Sequence, residues 1–144
     1  MQHETFIINT DGGARGNPGP AAAGVVIRSA QGDELAAFGE YLGHSTNNDA
    51  EYRALILALK KLKALIGGRR AKSALVEVRM DSELIVRQVN GVYKINEEHL
   101  KPLFVDVWNL RIDFGKVTFV HVPREQNRDA DRMVNAALDN ASEG

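Results

Sequence analysis

No cysteine occurs in the chain, which removes disulfides and thiolate zinc sites from consideration and fits a reducing compartment. Neither sign of charge dominates: 18 lysines and arginines face 19 aspartates and glutamates, a net charge of −1. A protein that coats nucleic acid through bulk charge is thereby excluded, although a local contact surface is not. Long apolar runs are missing too. The opening "MQHETFIINT" has no basic region ahead of an apolar stretch, so neither a signal peptide nor a membrane span is expected. There is no low-complexity tract, internal repeat or linker. These absences lead to the expectation of a soluble cytoplasmic protein, one domain over residues 1–144, without a membrane partner and monomeric.

What is present is an ordinary globular composition, 44% hydrophobic and 26% charged, in 144 residues. A domain of that length buries about 70% of the surface its unfolded chain exposes. The pattern predicts an α/β fold. Phe6 to Asp11 ("FIINTD") reads as a strand, partly a continuous apolar run and therefore central in a sheet. Gly24 to Ser29 and Leu35 to Leu42 read as two more strands, joined by the turn-like "SAQGDE" into an antiparallel meander with the first. A helix from about Asn48 to Ile66 follows. Tyr52, Leu55, Ile56, Leu59, Leu62 and Ile66 fall on one of its faces, and Gly67-Gly68 stops it. Ala74 to Asp81 is a fourth strand, Ser82 to Asn90 a short helix, and Glu97 to Ile112 another, with Pro102 in its first turn. Lys116 to Val122 is the fifth strand and Asn127 to Asn140 the last helix. Strand, helix, strand, helix, strand is the grammar of crossovers, so the first, fourth and fifth strands should be parallel. The result is a five-stranded mixed sheet flanked by helices.

The acids then fall into place. Asp11 ends the first strand and Asp81 the fourth, so both emerge at one sheet edge, where open α/β sheets bind ligands. Glu51 lies in the first turn of the long helix, and both Asp129 and Asp131 lie near the start of the last. Each alone is compatible with a turn former or a dipole-favoured helix residue. Together they would repel one another unless a cation relieved them, and hard Mg²⁺ takes carboxylate oxygen while keeping water.

Four stretches, "TDGGARGNPGPAAAG", "STNNDAEYRALILAL", "MDSELIVRQVNG" and "HVPREQNRDADRMVNAAL", resemble the blocks of ribonuclease H type 1 in order and span nearly the whole chain. The resemblance implies the ribonuclease H-like fold and endonucleolytic cleavage of the RNA strand of RNA–DNA hybrids, leaving 5′-phosphate and 3′-hydroxyl ends. It implies a carboxylate quartet holding two Mg²⁺ ions, with Mn²⁺ as a possible substitute. Asp11, Glu51 and Asp81 take the first three positions, and the spacing of the family's acid from its asparagine, here Asn127, selects Asp131 over Asp129. His121 matches the family's mobile histidine, a proton shuttle or aid to product release, with Arg124 as a replacement candidate. Gly12, Gly13, Ala14 and Gly16 are expected to bring backbone close to the hybrid, and Asn17 to bond it. Thr46 and Asn47 match a phosphate-gripping pocket and Asn48 a minor-groove contact. Thr46 or Asn47 also suits the helix N-cap.

Three features depart from the family pattern or compete with it. Glu83 stands where many members carry glutamine; a carboxylate cannot donate, so a base contact there is altered. The basic protrusion that members often insert after the third block is missing, leaving only "VYKINEEH". Modest hybrid affinity and a shallow salt dependence are expected from that loss. The basic run Lys60, Lys61, Lys63, Arg69, Arg70 and Lys72 reads as a solvated face, and Phe104 with Trp108 as packing. A binding module that has lost catalysis would normally lack one of the four acids. An exonuclease would need a pocket for a 3′ end, which the sequence does not reveal.

Overall fold

A computed structural model describes residues 3–143. Five strands, β1 (Thr5–Ala14), β2 (Gly19–Ser29), β3 (Glu34–Ser45), β4 (Leu75–Met80) and β5 (Lys116–His121), form one sheet in the order β3-β2-β1-β4-β5. The meander β1–β2–β3 is antiparallel, while β1 with β4 and β4 with β5 are parallel. β1 is therefore central, as its apolar run predicts. Four helices flank the sheet: α1 (Asn47–Ala71), α2 (Glu83–Val89), α3 (Lys101–Arg111) and α4 (Arg128–Glu143).

On one face α1 lies across β1 and β2, with α3 packed against it. Ile8, Val25, Ile27, Val76 and Val78 meet Tyr52, Leu55, Leu59 and Leu62 there in the main core. Strict alternation in β4 sends Val76, Val78 and Met80 into this core and leaves Glu77 and Arg79 on the other side. α4 covers the opposite face of β1, β2 and β3 over a thin layer of Ala22, Val134, Ala137 and Leu138. That layer is thin because Gly24 and Gly39 floor it. A Cβ on either would collide with backbone carbonyls of α4, those of Ala130 and Met133 respectively.

Several boundaries differ from the sequence expectation. β1 runs on through Gly12 and Gly13 to Ala14, and β2 begins at Gly19, so the true turn is only Arg15 to Pro18. "GPAAA" looks like a turn by composition, yet pairing with both neighbours extends the strand and buries Ala21, Ala22 and Ala23. Gly67 does break α1, at φ 84°, but the chain resumes a helical turn to Ala71. Glu97 is not helical: it precedes a 3-10 turn at Glu98–Leu100, after which α3 starts with Pro102 in its first turn. Phe104 stacks on Trp108 with ring centroids 5.5 Å apart, and the Arg111 guanidinium lies 3.4 Å from the Trp108 ring centre, which makes this edge packing. No helix among the described residues is long and apolar enough to cross a membrane.

Candidate active site

β1 and β4 pair only as far as Asn9 opposite Arg79. Beyond that point the two strands deliver Asp11 and Asp81 to the same edge, and the second turn of α1, which begins at Asn47, brings Glu51 down onto them. Carboxylate oxygens of Asp11, Glu51 and Asp81 lie within 4.8 Å of one another. Gly12 makes this possible. A Cβ there would strike the backbone of Ala50 and Glu51. Gly12 thus admits α1, whereas a Cβ on Gly13 would meet only the Val134 side chain, at an ordinary contact distance of 3.8 Å.

Burial and mutual repulsion dominate the electrostatics. Asp11 is pushed up to about 7, first by burial and then by the charge of Asp81. Glu51, almost wholly enclosed, is held well above the usual carboxylate range by burial and by Asp11 and Asp81. Asp81 is also raised by burial, opposed by the nearby positive charge of Arg124. Three acids so placed cannot all ionise in the absence of a counter-charge. Glu51 Oε2 is buried with no hydrogen-bond partner. An all-oxygen donor set with one unsatisfied buried oxygen fits a hard divalent cation such as Mg²⁺ or Mn²⁺.

Asp131 is at the rim of the cluster. It is half-buried, and its charge contributes to raising both Asp11 and Asp81. Asn135 donates to its backbone carbonyl at 3.2 Å. Asp129 points away, but not into open solvent as its position at the helix start suggests: it is ion-paired with Arg28 of β2 and with Arg132 at 3.4 Å. His121 is exposed at the last position of β5, opposite Met80. Two asparagines outside the predicted site residues, Asn9 and Asn127, tie the start of α4 to β1 beside the carboxylates. Asn127, 1% exposed, donates to Thr10 O at 2.9 Å, accepts from Asn9 Nδ2 at 3.0 Å and favours the charged form of Asp81. An asparagine inside the apolar "FIINTD" was the available signal.

Around the N-terminus of α1 the expected substrate contacts form one network. Thr46 is the N-cap, accepting from Asp49 N–H at 3.2 Å. Asn47 Oδ1 accepts from Ala14 N–H at 2.8 Å, and Asn17 Oδ1 accepts from Asn47 N–H at 3.0 Å. Gly16 turns the exposed loop between them with φ +88°. Asn48 donates to Glu97 at 3.1 Å, and Glu83 is taken by Arg87 at 2.8 Å. The basic run lies elsewhere and is partly paired, Lys63 with Asp113 and Arg70 with Glu4.

A meander extended by parallel crossovers, with three carboxylates converging at the β1–β4 edge, defines the ribonuclease H-like fold. Residues 9–137 match the family model described as reverse transcriptase-like. The chain is 41% identical over 131 residues to ribonuclease HI of Halobacterium salinarum, covering 91% of this chain and 63% of that protein. It is 40% identical over 138 residues to a bifunctional protein of Mycobacterium tuberculosis, covering 95% of this chain but 36% of the relative. The chain thus spans between about a third and two thirds of these curated relatives' length. The structure of LC11-RNase H1, isolated from compost, superposes with a TM-score of 0.89 at 51% identity, covering 95% of this chain and 97% of that one. The same LC11 enzyme in complex with an RNA/DNA hybrid gives a TM-score of 0.88 at 50% identity, with 94% and 98% covered. The chain belongs to the type 1 ribonuclease H family of endoribonucleases.

Proposed function

We propose that this protein hydrolyses the RNA strand of RNA–DNA hybrids at internal positions, using two divalent ions, Mg²⁺ or Mn²⁺, and leaving 5′-phosphate and 3′-hydroxyl ends. The observation that carries the proposal is the grouping of Asp11, Glu51 and Asp81 within 4.8 Å. Their company of a partnerless Glu51 Oε2 supports the same reading. Asp11, Glu51 and Asp81 would hold the ions, with Asp131 completing the set from the rim. When bound, such ions supply water activation and neutralise charge at phosphorus. A water oxygen bonds to phosphorus while the bond from phosphorus to the 3′-oxygen breaks, and a proton must reach the departing oxygen. His121 is exposed beside the site and can carry that proton. The Arg124 guanidinium offers only donors and can attract phosphate or product.

Substrate choice falls to the network about α1. Backbone at Gly12, Gly13, Ala14 and Gly16, with Asn17, Thr46, Asn47 and Asn48, offers small polar groups beside a helix N-terminus, which suits a phosphate backbone. Glu83 is paired with Arg87 one helical turn on. The relative solved with RNA/DNA hybrid supports the choice of substrate by its similarity.

The test is cleavage of end-labelled RNA–DNA, RNA–RNA and single-stranded RNA with Mg²⁺, with Mn²⁺ and with chelator. Internal cuts in the RNA of the hybrid, intact DNA and no reaction with chelator are expected. A folded protein that cuts nothing with either metal would instead be a binding module. Mononucleotides released from one RNA end alone would make it an exonuclease.

A further inference from the structure

What holds each asparagine near the start of α1 decides which end of its amide faces outward. Asn47 and Asn17 each spend their carbonyl oxygen on a backbone N–H, at 2.8 and 3.0 Å, so their amide nitrogens remain available as donors. That polarity suits phosphate, which only accepts. Asn48 is held the opposite way. Its nitrogen lies 3.1 Å from Glu97 Oε1, and because a carboxylate accepts only, the amide nitrogen must turn towards Glu97 and leave Oδ1 on the side away from it. Glu97 is itself fixed. Its backbone carbonyl accepts from the N–H of Leu100, a fully buried residue, at 3.0 Å, and its second oxygen faces His99 Nε2 at 3.4 Å.

We infer that Glu97 is a positioning residue that fixes Asn48 with its acceptor outward, so that Asn48 selects a hydrogen-bond donor in the minor groove; this rests on the hybrid-cleaving function proposed above. The minor groove of a hybrid offers acceptors at every base pair, purine N3 and pyrimidine O2. Its donors are fewer: the 2-amino group of guanine and the ribose 2′-hydroxyl. With a freely rotating amide, Asn48 would donate to any base pair. With Glu97 in place one N–H is committed to the carboxylate, and the oxygen presented away from it accepts from guanine or from ribose. The acid sits next to a polyanion and repels it, so a residue acting merely as charge would weaken every substrate alike.

The experiment uses two series of hybrids, each with one change: guanosine to inosine, which deletes the 2-amino group, or 2′-hydroxyl to 2′-fluoro at riboses flanking the cut. In the wild-type protein one position in one series should raise KM about fivefold with kcat little changed, the effect of a single lost hydrogen bond. Which series responds identifies the donor. Glu97→Ala should bring that ratio to within about twofold while affinity for unmodified hybrid holds or improves. Glu97→Gln, whose amide can hold either end of Asn48, should give an intermediate ratio. Asn48→Ala should lose the discrimination, and combining it with Glu97→Ala should lose no more. Melting curves check that each variant is folded. An undiminished ratio in Glu97→Ala, a uniform shift across all hybrids, or a wild type with no sensitive position would overturn the inference. Failure of the wild type to cut any hybrid would overturn the underlying function instead.

Discussion

Asp129 and Asp131 stand two positions apart on α4, which turns them about 200° from each other. The helix therefore presents only one of them to the carboxylate cluster. Asp131 is the one that faces Asp11 and Asp81, while Asp129 pairs with Arg28 and Arg132. Asp131→Asn should lower kcat on the order of tenfold to a hundredfold, as loss of a rim group near bound metal does. Asp11→Asn and Asp81→Asn, inside the cluster, should cost on the order of 10³. Asp129→Asn should stay within about twofold in activity and cost roughly 0.5–1 kcal/mol of stability, as expected for a half-exposed ion pair. Steady-state kinetics with denaturation curves for the four variants check the set; an inactive Asp129→Asn beside an active Asp131→Asn would reverse the assignment. The choice between the two acids was legible only through the spacing from Asn127. The partner of Asp129 was not, since Arg28 lies 101 residues earlier.

At the scale of elements, the approach of α4 to the sheet depends on what β2 and β3 lack. Gly24 and Gly39 sit beneath Ala130 and Met133, and Cβ atoms there would meet helix backbone, which cannot swing aside as a side chain can. Gly39→Ala should therefore destabilise the protein by about 3 kcal/mol, as overpacking does, measurable by urea denaturation. Gly32→Ala, at a turn glycine with φ +96° and open space about it, separates backbone strain from collision and should cost about 1 kcal/mol. Equal losses would mean that the α4 contact yields easily. Strand and helix identities were readable from periodicity, as the buried face of α1 shows. The start of β2 was not. Its glycine and proline composition argues for a turn, and only pairing with β3, joined from Ala21 onward by β1, makes "GPAAA" a strand.

For the molecule as a whole, the buried acids couple fold to pH and to metal. Asp11 holds its proton up to about 7 in the folded chain but releases it near 3.8 when unfolded, and Glu51 is shifted in the same direction. Between those values the unfolded chain binds fewer protons, so stability falls as pH rises; the contribution is fully present below the unfolded value and gone above the folded one. With chelator, the melting temperature should be on the order of 5 °C lower at pH 8 than at pH 5.5, and millimolar Mg²⁺ at pH 8 should restore it through preferential binding to the folded state. A melting temperature indifferent to both would show that the acids are not repelling one another. The helices, the central strand, the parallel crossovers and the order of acids are legible along the chain, because they follow from local periodicity and short motifs. That Gly12 serves the approach of α1, that burial pushes Asp11 up to about 7 and that Glu97 holds Asn48 from 49 residues away emerges with the fold alone. Burial, collision and Coulomb coupling depend on distance through space, and distance along the chain does not encode it.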